Sequence, residues 1–154
     1  MTLITKHFGV IEVKDEDIVT FAEGLPGFRQ LNKFIIMFDD EDESNTFVWL
    51  QSVDDGELCF ILVDAAAILP WYKPSVLEEE LEGLDIKDMN ETLIYNITRF
   101  PEDVNSATVN LMAPIVINAA AKKGRQVIVT NEDYGVRHYL FDRDGDVSDK
   151  QKEG

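Results

Sequence analysis

Four acidic residues near the end of the chain, Asp142, Asp144, Asp146 and Glu153, occupy the first, third, fifth and twelfth places of an EF-hand-type loop. That spacing wraps carboxylate oxygens around a calcium ion. The pattern fails at its turn, because the sixth place is Val147 where the loop requires glycine and the ninth is Lys150. A second acidic run, Asp39-Asp40-Glu41-Asp42-Glu43, also offers hard oxygen ligands. Adjacent side chains point in several directions, so this run reads as a solvated connection between strands or as a contact for a basic partner. Asp54, Asp55 and Glu57 supply the carboxylates that general acid–base chemistry uses, which work only where the surroundings drive their pKa values apart.

The remaining reactive residues are few. Cys59 is the single cysteine and lies in the apolar run Cys59-Phe60-Ile61-Leu62-Val63, the setting of a structural thiol rather than a nucleophile. It has no partner for an intramolecular disulfide, which fits a reducing compartment. His7 and His138 stand far apart, leaving little for a histidine-based metal site. No phosphate-binding loop, dinucleotide fingerprint, nucleophile elbow or zinc-protease motif is present. The sequence therefore predicts no catalytic residue, no metal and no cofactor.

The chain has 154 residues, 45% of them apolar, and a formal net charge of −16 from 14 Lys and Arg against 30 Asp and Glu. That length suits one core, and the composition is ordinary for a globular domain. So anionic a surface repels phosphate backbones and anionic bilayers, which argues against direct binding to nucleic acid or membrane and favours encounter with basic partners. The first residues lack the apolar core of a signal peptide, and the apolar stretch from Cys59 to Trp71 is broken by Asp64 and Pro70, so the expected location is the cytoplasm.

The elements that must position these groups read as short strands bounded by Gly, Asp and Asn: residues 8–13, 18–21, 34–38, 47–52, 58–63, 93–98, 107–111, 115–118, 126–130 and 137–141. The pattern predicts a mainly β domain, a barrel or a sandwich, over residues 1–141 with one or two short helices, followed by a polar, frayed or disordered tail at 142–154. In Phe47-Val48-Trp49-Leu50 both alternating faces are apolar, so this strand is expected to be covered on both sides. Asp54-Asp55-Gly56 predicts a hairpin turn with glycine at positive φ. Ser75 and Glu78 have the capping-box spacing, predicting a helix over 76–82 that ends at Gly83, and a further helical turn or loop is expected over 119–123.

Three segments suggest specified corners. Phe21-Ala22-Glu23-Gly24-Leu25-Pro26-Gly27-Phe28 sets two glycines and a proline between aromatic anchors. Trp49-Leu50-Gln51-Ser52 ends an apolar strand with groups that must find polar partners, and Asn110 and Asn118 bracket an apolar run broken at Pro114.

Together with Phe8-Gly9-Val10-Ile11-Glu12-Val13, the segments Gly24-Leu25-Pro26-Gly27-Phe28, Trp49-Leu50-Gln51-Ser52 and Asn110-Leu111-Met112-Ala113-Pro114-Ile115-Val116-Ile117-Asn118 resemble, in this order, the FliW flagellar assembly factor family. The resemblance extends from about Thr2 to Leu140. It implies a compact antiparallel β-barrel-like fold and a non-enzymatic role: binding of the translational regulator CsrA, relief of its repression of the flagellin message, and alternate binding of flagellin in a partner switch. It further implies action on CsrA outside the RNA-contact surface, through the C-terminal region, so that inhibition is allosteric.

On this reading Asp39, Asp40, Glu41, Asp42, Glu43, Asp54, Asp55 and Glu57 lie on neighbouring loops that steer a basic partner, with Trp49, Gln51 and Phe60 lining an adjoining contact. Gly24, Pro26, Gly27, Phe28, Asn110, Pro114 and Asn118 are expected to shape the backbone. The alternatives are a flagellin-specific chaperone without a regulatory arm and a small enzyme or ligand-binding barrel whose cavity is lined by carboxylates and Tyr72 or Tyr95.

Overall fold

The computed structural model describes residues 1–38 and 44–141. The acidic run 39–43 and the tail 142–154, with its calcium-loop-like spacing, lie outside the described residues. The strands are β1 (Thr2–Thr5), β2 (Gly9–Glu12), β3 (Val19–Thr20), β4 (Lys33–Met37), β5 (Phe47–Ser52), β6 (Cys59–Val63), β7 (Thr92–Arg99), β8 (Thr108–Val109), β9 (Ile115–Asn118), β10 (Lys123–Gln126) and β11 (His138–Tyr139). One α-helix, α1 (Ala65–Ile68), follows β6, and short 3-10 turns punctuate the connections.

Seven strands close into a ring, β3-β4-β5-β6-β7-β9-β10 and back to β3. A ring with an odd number of strands cannot be antiparallel throughout; the parallel step falls between β3 and β10, where Thr20 faces Lys123. It is the shortest seam of the ring, reinforced by Thr20 N–H donating to Lys122 O at 2.9 Å. β8 and β11 extend the sheet from the far half of β7. β1 and β2 form a separate hairpin.

Alternation on the strands builds the core. Phe34, Val48, Leu50, Leu62, Ile115 and Ile117 are wholly buried in one cluster with Val19, Phe21 and Leu25, drawing on β3, β4, β5, β6 and β9. The opposite phase is covered too. Val63, on the other face of β6, packs with Ala65, Tyr72, Val109 and Leu140, while Val116 on the outer face of β9 packs with Leu84 and Val127. This double covering explains the apolar residues on both phases of β5 and β6.

The helix expected over 76–82 is replaced by a 3-10 turn at Glu78–Leu81, with Leu77 rather than Ser75 at its start. Ser75 is committed elsewhere: its N–H donates to Asn131 Oδ1 at 2.7 Å, its carbonyl accepts from Thr130 N at 2.8 Å, and Val76 bridges to Val129. Held extended against the segment after β10, residues 75–76 cannot begin a helical path. The helix that does form, α1, lies in an apolar run too short to show helical periodicity. The strand expected at 126–130 is displaced to Lys123–Gln126, sharing only Gln126, and residues 119–122 make the turn that precedes it. β1 was not expected at all.

Gly56 also corrects the sequence reading. Its φ is not positive; a Cβ there would collide with the carbonyl of Ile4, and Lys6 N–H donates to Gly56 O at 3.0 Å. Glycine is needed because the β1–β2 hairpin lies against this turn.

Candidate functional site

The β5–β6 turn uses its acidic residues to hold its own shape. Asp54 Oδ2 accepts from the N–H groups of Asn32 and Lys33, each at 3.2 Å. Ser52 Oγ accepts from Asp55 N at 2.9 Å, and Asp55 Oδ1 accepts from Glu57 N at 3.0 Å. Beneath them Gln51 Nε2 donates to the carbonyls of Ser52, Gly56 and Leu58 at 3.0, 3.2 and 3.1 Å. Asp54, Asp55 and Glu57 remain exposed.

Gln51, expected to line a partner contact, is fully buried: its Nε2 pins the turn, and among the described residues its Oε1 has no hydrogen-bond partner. The expected neighbourhood of the two acidic loops involves residues 39–43, which lie outside the described residues. Phe38 and Ser44, which flank residues 39–43, lie beyond the end of the β4–β5 hairpin where Met37 faces Trp49, whereas Asp54 follows the end where Phe34 faces Ser52. The length of β5, about 17 Å at about 3.3 Å per residue, separates the ends. Trp49 is half-buried under Phe8 of the N-terminal hairpin, ring centroids 5.9 Å apart. Phe60, also half-buried, stands edge-on to Phe28 at 5.7 Å and tilts against Phe34 at 6.4 Å. Trp49 and Phe60 therefore fasten the hairpin and the glycine-rich loop to the barrel.

That loop is a tight corner. Phe21 O accepts from Gly24 N at 2.8 Å, Leu25 O accepts from Phe28 N at 2.7 Å, and Pro26 stays exposed. Gly24 and Gly27 take φ of +64° and +84°, and a Cβ at Gly24 would come within 2.6 Å of the Arg29 backbone. The two asparagines act similarly. Asn110 Oδ1 accepts from Met112 N and Ala113 N at 3.1 and 3.0 Å, shaping the turn into Pro114, whose carbonyl accepts from Val127 N. Asn118 Nδ2 donates to Leu84 O at 2.8 Å and its Oδ1 accepts from Ala121 N at 3.2 Å.

Among the described residues no three His, Cys, Asp or Glu side chains gather into a metal-holding group, and no helix is long and apolar enough to cross a membrane. Burial pushes the half-buried Cys59 thiol up to about 11, so it stays protonated at neutral pH.

Tyr72 and Tyr95 do border one cleft, of about 330 Å³, between α1 and β7. Tyr72 O–H donates to Leu111 O at 2.9 Å and accepts from Asn96 Nδ2 at 2.9 Å, while Asn96 Nδ2 also donates to Asn110 O at 2.8 Å. Burial raises the Tyr72 phenol to about 12 and raises that of Tyr95, with the Asp64 carboxylate adding to the second. Among the described residues the fully buried Asn96 has no hydrogen-bond partner for its Oδ1. Sequence reasoning overlooked Asn96; the available signal was an asparagine between Tyr95 and Ile97 in a strand of apolar and β-branched residues, where asparagine is depleted.

The family model described as "FliW protein" matches residues 2–140. This chain belongs to the FliW family. It is 38% identical to the flagellar assembly factor FliW of Thermoanaerobacter pseudethanolicus over 142 residues, covering 92% of this chain and 94% of that protein. It is 39% identical to that of Caldicellulosiruptor bescii over 148 residues, 96% and 94% of the two chains. A crystal structure of the flagellar assembly factor FliW superimposes with a TM-score of 0.84 at 34% identity, covering 93% of this chain and 99% of the other. The FliW match takes in the hairpin, the barrel and the β8–β11 extension together. Three of the four FliW-like motifs of the sequence are places where the backbone of this barrel is held, and the first, Phe8–Val13, carries strand β2 of the separate hairpin.

Proposed function

We propose that this FliW-family chain is a non-enzymatic, cytoplasmic factor of flagellar assembly that binds CsrA, antagonises its repression of flagellin translation and alternately binds flagellin. The observation that carries this reading is the family match across residues 2–140, on a barrel whose distinctive polar residues serve its own loops. The formal charge of −16 supports it: an anionic module with no nucleic-acid motif acts on a basic RNA-binding protein, not on the RNA. Negative charge brought beside an RNA site also opposes phosphate binding, in the direction that antagonism requires.

The test is fluorescence anisotropy of a labelled flagellin leader RNA held by CsrA. Adding this protein lowers the apparent RNA affinity to a plateau if inhibition is allosteric, and flagellin restores it. Unchanged anisotropy with active CsrA would refute the regulatory reading.

A further inference from the structure

The cleft between α1 and β7 has features that the holding of the barrel does not explain. β7 is paired with β9 from Thr92 to Tyr95, but β6 reaches it only at Asn96 and Ile97. After Val63 the chain leaves the sheet through Asp64 into α1. Ile97 O accepts from Asn110 N, so Ile97 turns its main chain toward the β8–β9 side. Alternation along the strand then turns the main-chain groups of Ile94 the other way, toward the gap that β6 has vacated. Among the described residues no hydrogen bond reaches the main chain of Ile94 from that side. The carboxylate of Asp64, which makes no capping bond to the helix it precedes, borders the same gap.

An open strand position beside a carboxylate fits one kind of occupant. An extended segment supplies main-chain groups to the strand edge and sends alternate side chains to either face. A side chain facing Asp64 must be a donor, and against a carboxylate on a chain of charge −16 a cation is favoured. We infer that the cleft between α1 and β7 receives an extended segment of a protein partner, laid beside Ile94, with an arginine or lysine side chain set against Asp64. This rests on the reading of the barrel as a partner-binding module and names where on it one partner segment sits.

The probe is the peptide acetyl-Thr-Val-Arg-Val-Thr-amide, titrated into the isotope-labelled full chain at low salt and followed by amide chemical shifts, beside a counterpart with glutamate in place of arginine. The expected result is saturable shifts centred on the amide of Ile94, with none from the glutamate peptide. Asp64→Asn weakens binding by about tenfold, the worth of a charge-assisted hydrogen bond. Ala66→Trp, which plugs the cleft from an exposed position on α1, abolishes it while leaving the remaining spectrum in place. Equal shifts with both peptides, or shifts located elsewhere, would overturn the inference. Full binding of CsrA and flagellin by the Ala66→Trp protein would overturn the cleft as their site and leave the partner-binding reading standing; failure of the unmodified protein to bind either would overturn that reading itself.

Discussion

Replacing Tyr72 with phenylalanine removes one oxygen from a site that is 4% exposed and breaks two hydrogen bonds together. Asn96 Nδ2 keeps a partner in Asn110 O, but the carbonyl of the fully buried Leu111 loses the hydroxyl that donates to it. A buried acceptor left unsatisfied costs about 1–3 kcal/mol, and the second bond adds about 1 kcal/mol. The expected loss is therefore about 2–4 kcal/mol. For a chain of this size that lowers the melting temperature by about 4–16 °C. The assay is urea unfolding followed by tryptophan fluorescence and circular dichroism, with Tyr134→Phe as the control. The Tyr134 hydroxyl accepts from Lys73 N at 2.9 Å and donates to Trp71 O at 3.4 Å at the exposed rim, so its loss should stay below about 1 kcal/mol. The pH dependence carries a definite sign. Because burial holds the Tyr72 phenol at about 12, above the unfolded value, its contribution is complete below pH about 10 and is lost as pH rises through about 12. Tyr72→Phe should flatten that alkaline limb. Equal losses in the two variants, or no loss in Tyr72→Phe, would refute the reasoning.

Gly56→Ala should cost about 1–3 kcal/mol by forcing the β1–β2 hairpin off the β5–β6 turn, seen as loss of hydrogen-exchange protection at Lys6 with the barrel amides unaffected. At pH 8 Cys59 should react with a disulfide reagent about two orders of magnitude more slowly than a free thiol and accelerate up to pH about 11; rapid reaction at pH 8 would contradict its burial. Neutralising Asp39, Asp40, Glu41, Asp42 and Glu43 should slow association with CsrA at low salt and flatten its salt dependence, and identical stopped-flow rates would discard steering by this run.

Much of the fold was legible because local pattern and tertiary burial agreed. β5 and β9 fall on the expected residues 47–52 and 115–118, since each is a short apolar run bounded by turn residues. Closure was not legible: the β7–β9 and β3–β10 pairings join strands far apart in the chain, and no local pattern encodes them. The capping-box spacing at Ser75 was sound local chemistry overridden by its bonds to Asn131 and Thr130. For the site, sequence recognised that Gln51 needs partners without showing that it faces inward to the turn at Leu58. The placement of Phe38 and Ser44 at the opposite end of β5 from Asp54 was available in principle, because successive turns of a meander alternate between its ends. Asn96 became visible only when the sheet placed it beside the vacated edge of β7.

The most direct measurement is calorimetric titration of this protein into CsrA and into flagellin from the same organism, followed by flagellin added to the preformed CsrA complex. The account predicts saturable binding to each and displacement of CsrA by flagellin. Binding to flagellin without CsrA would contradict the switch and leave a chaperone, and binding to neither would contradict the proposed function altogether.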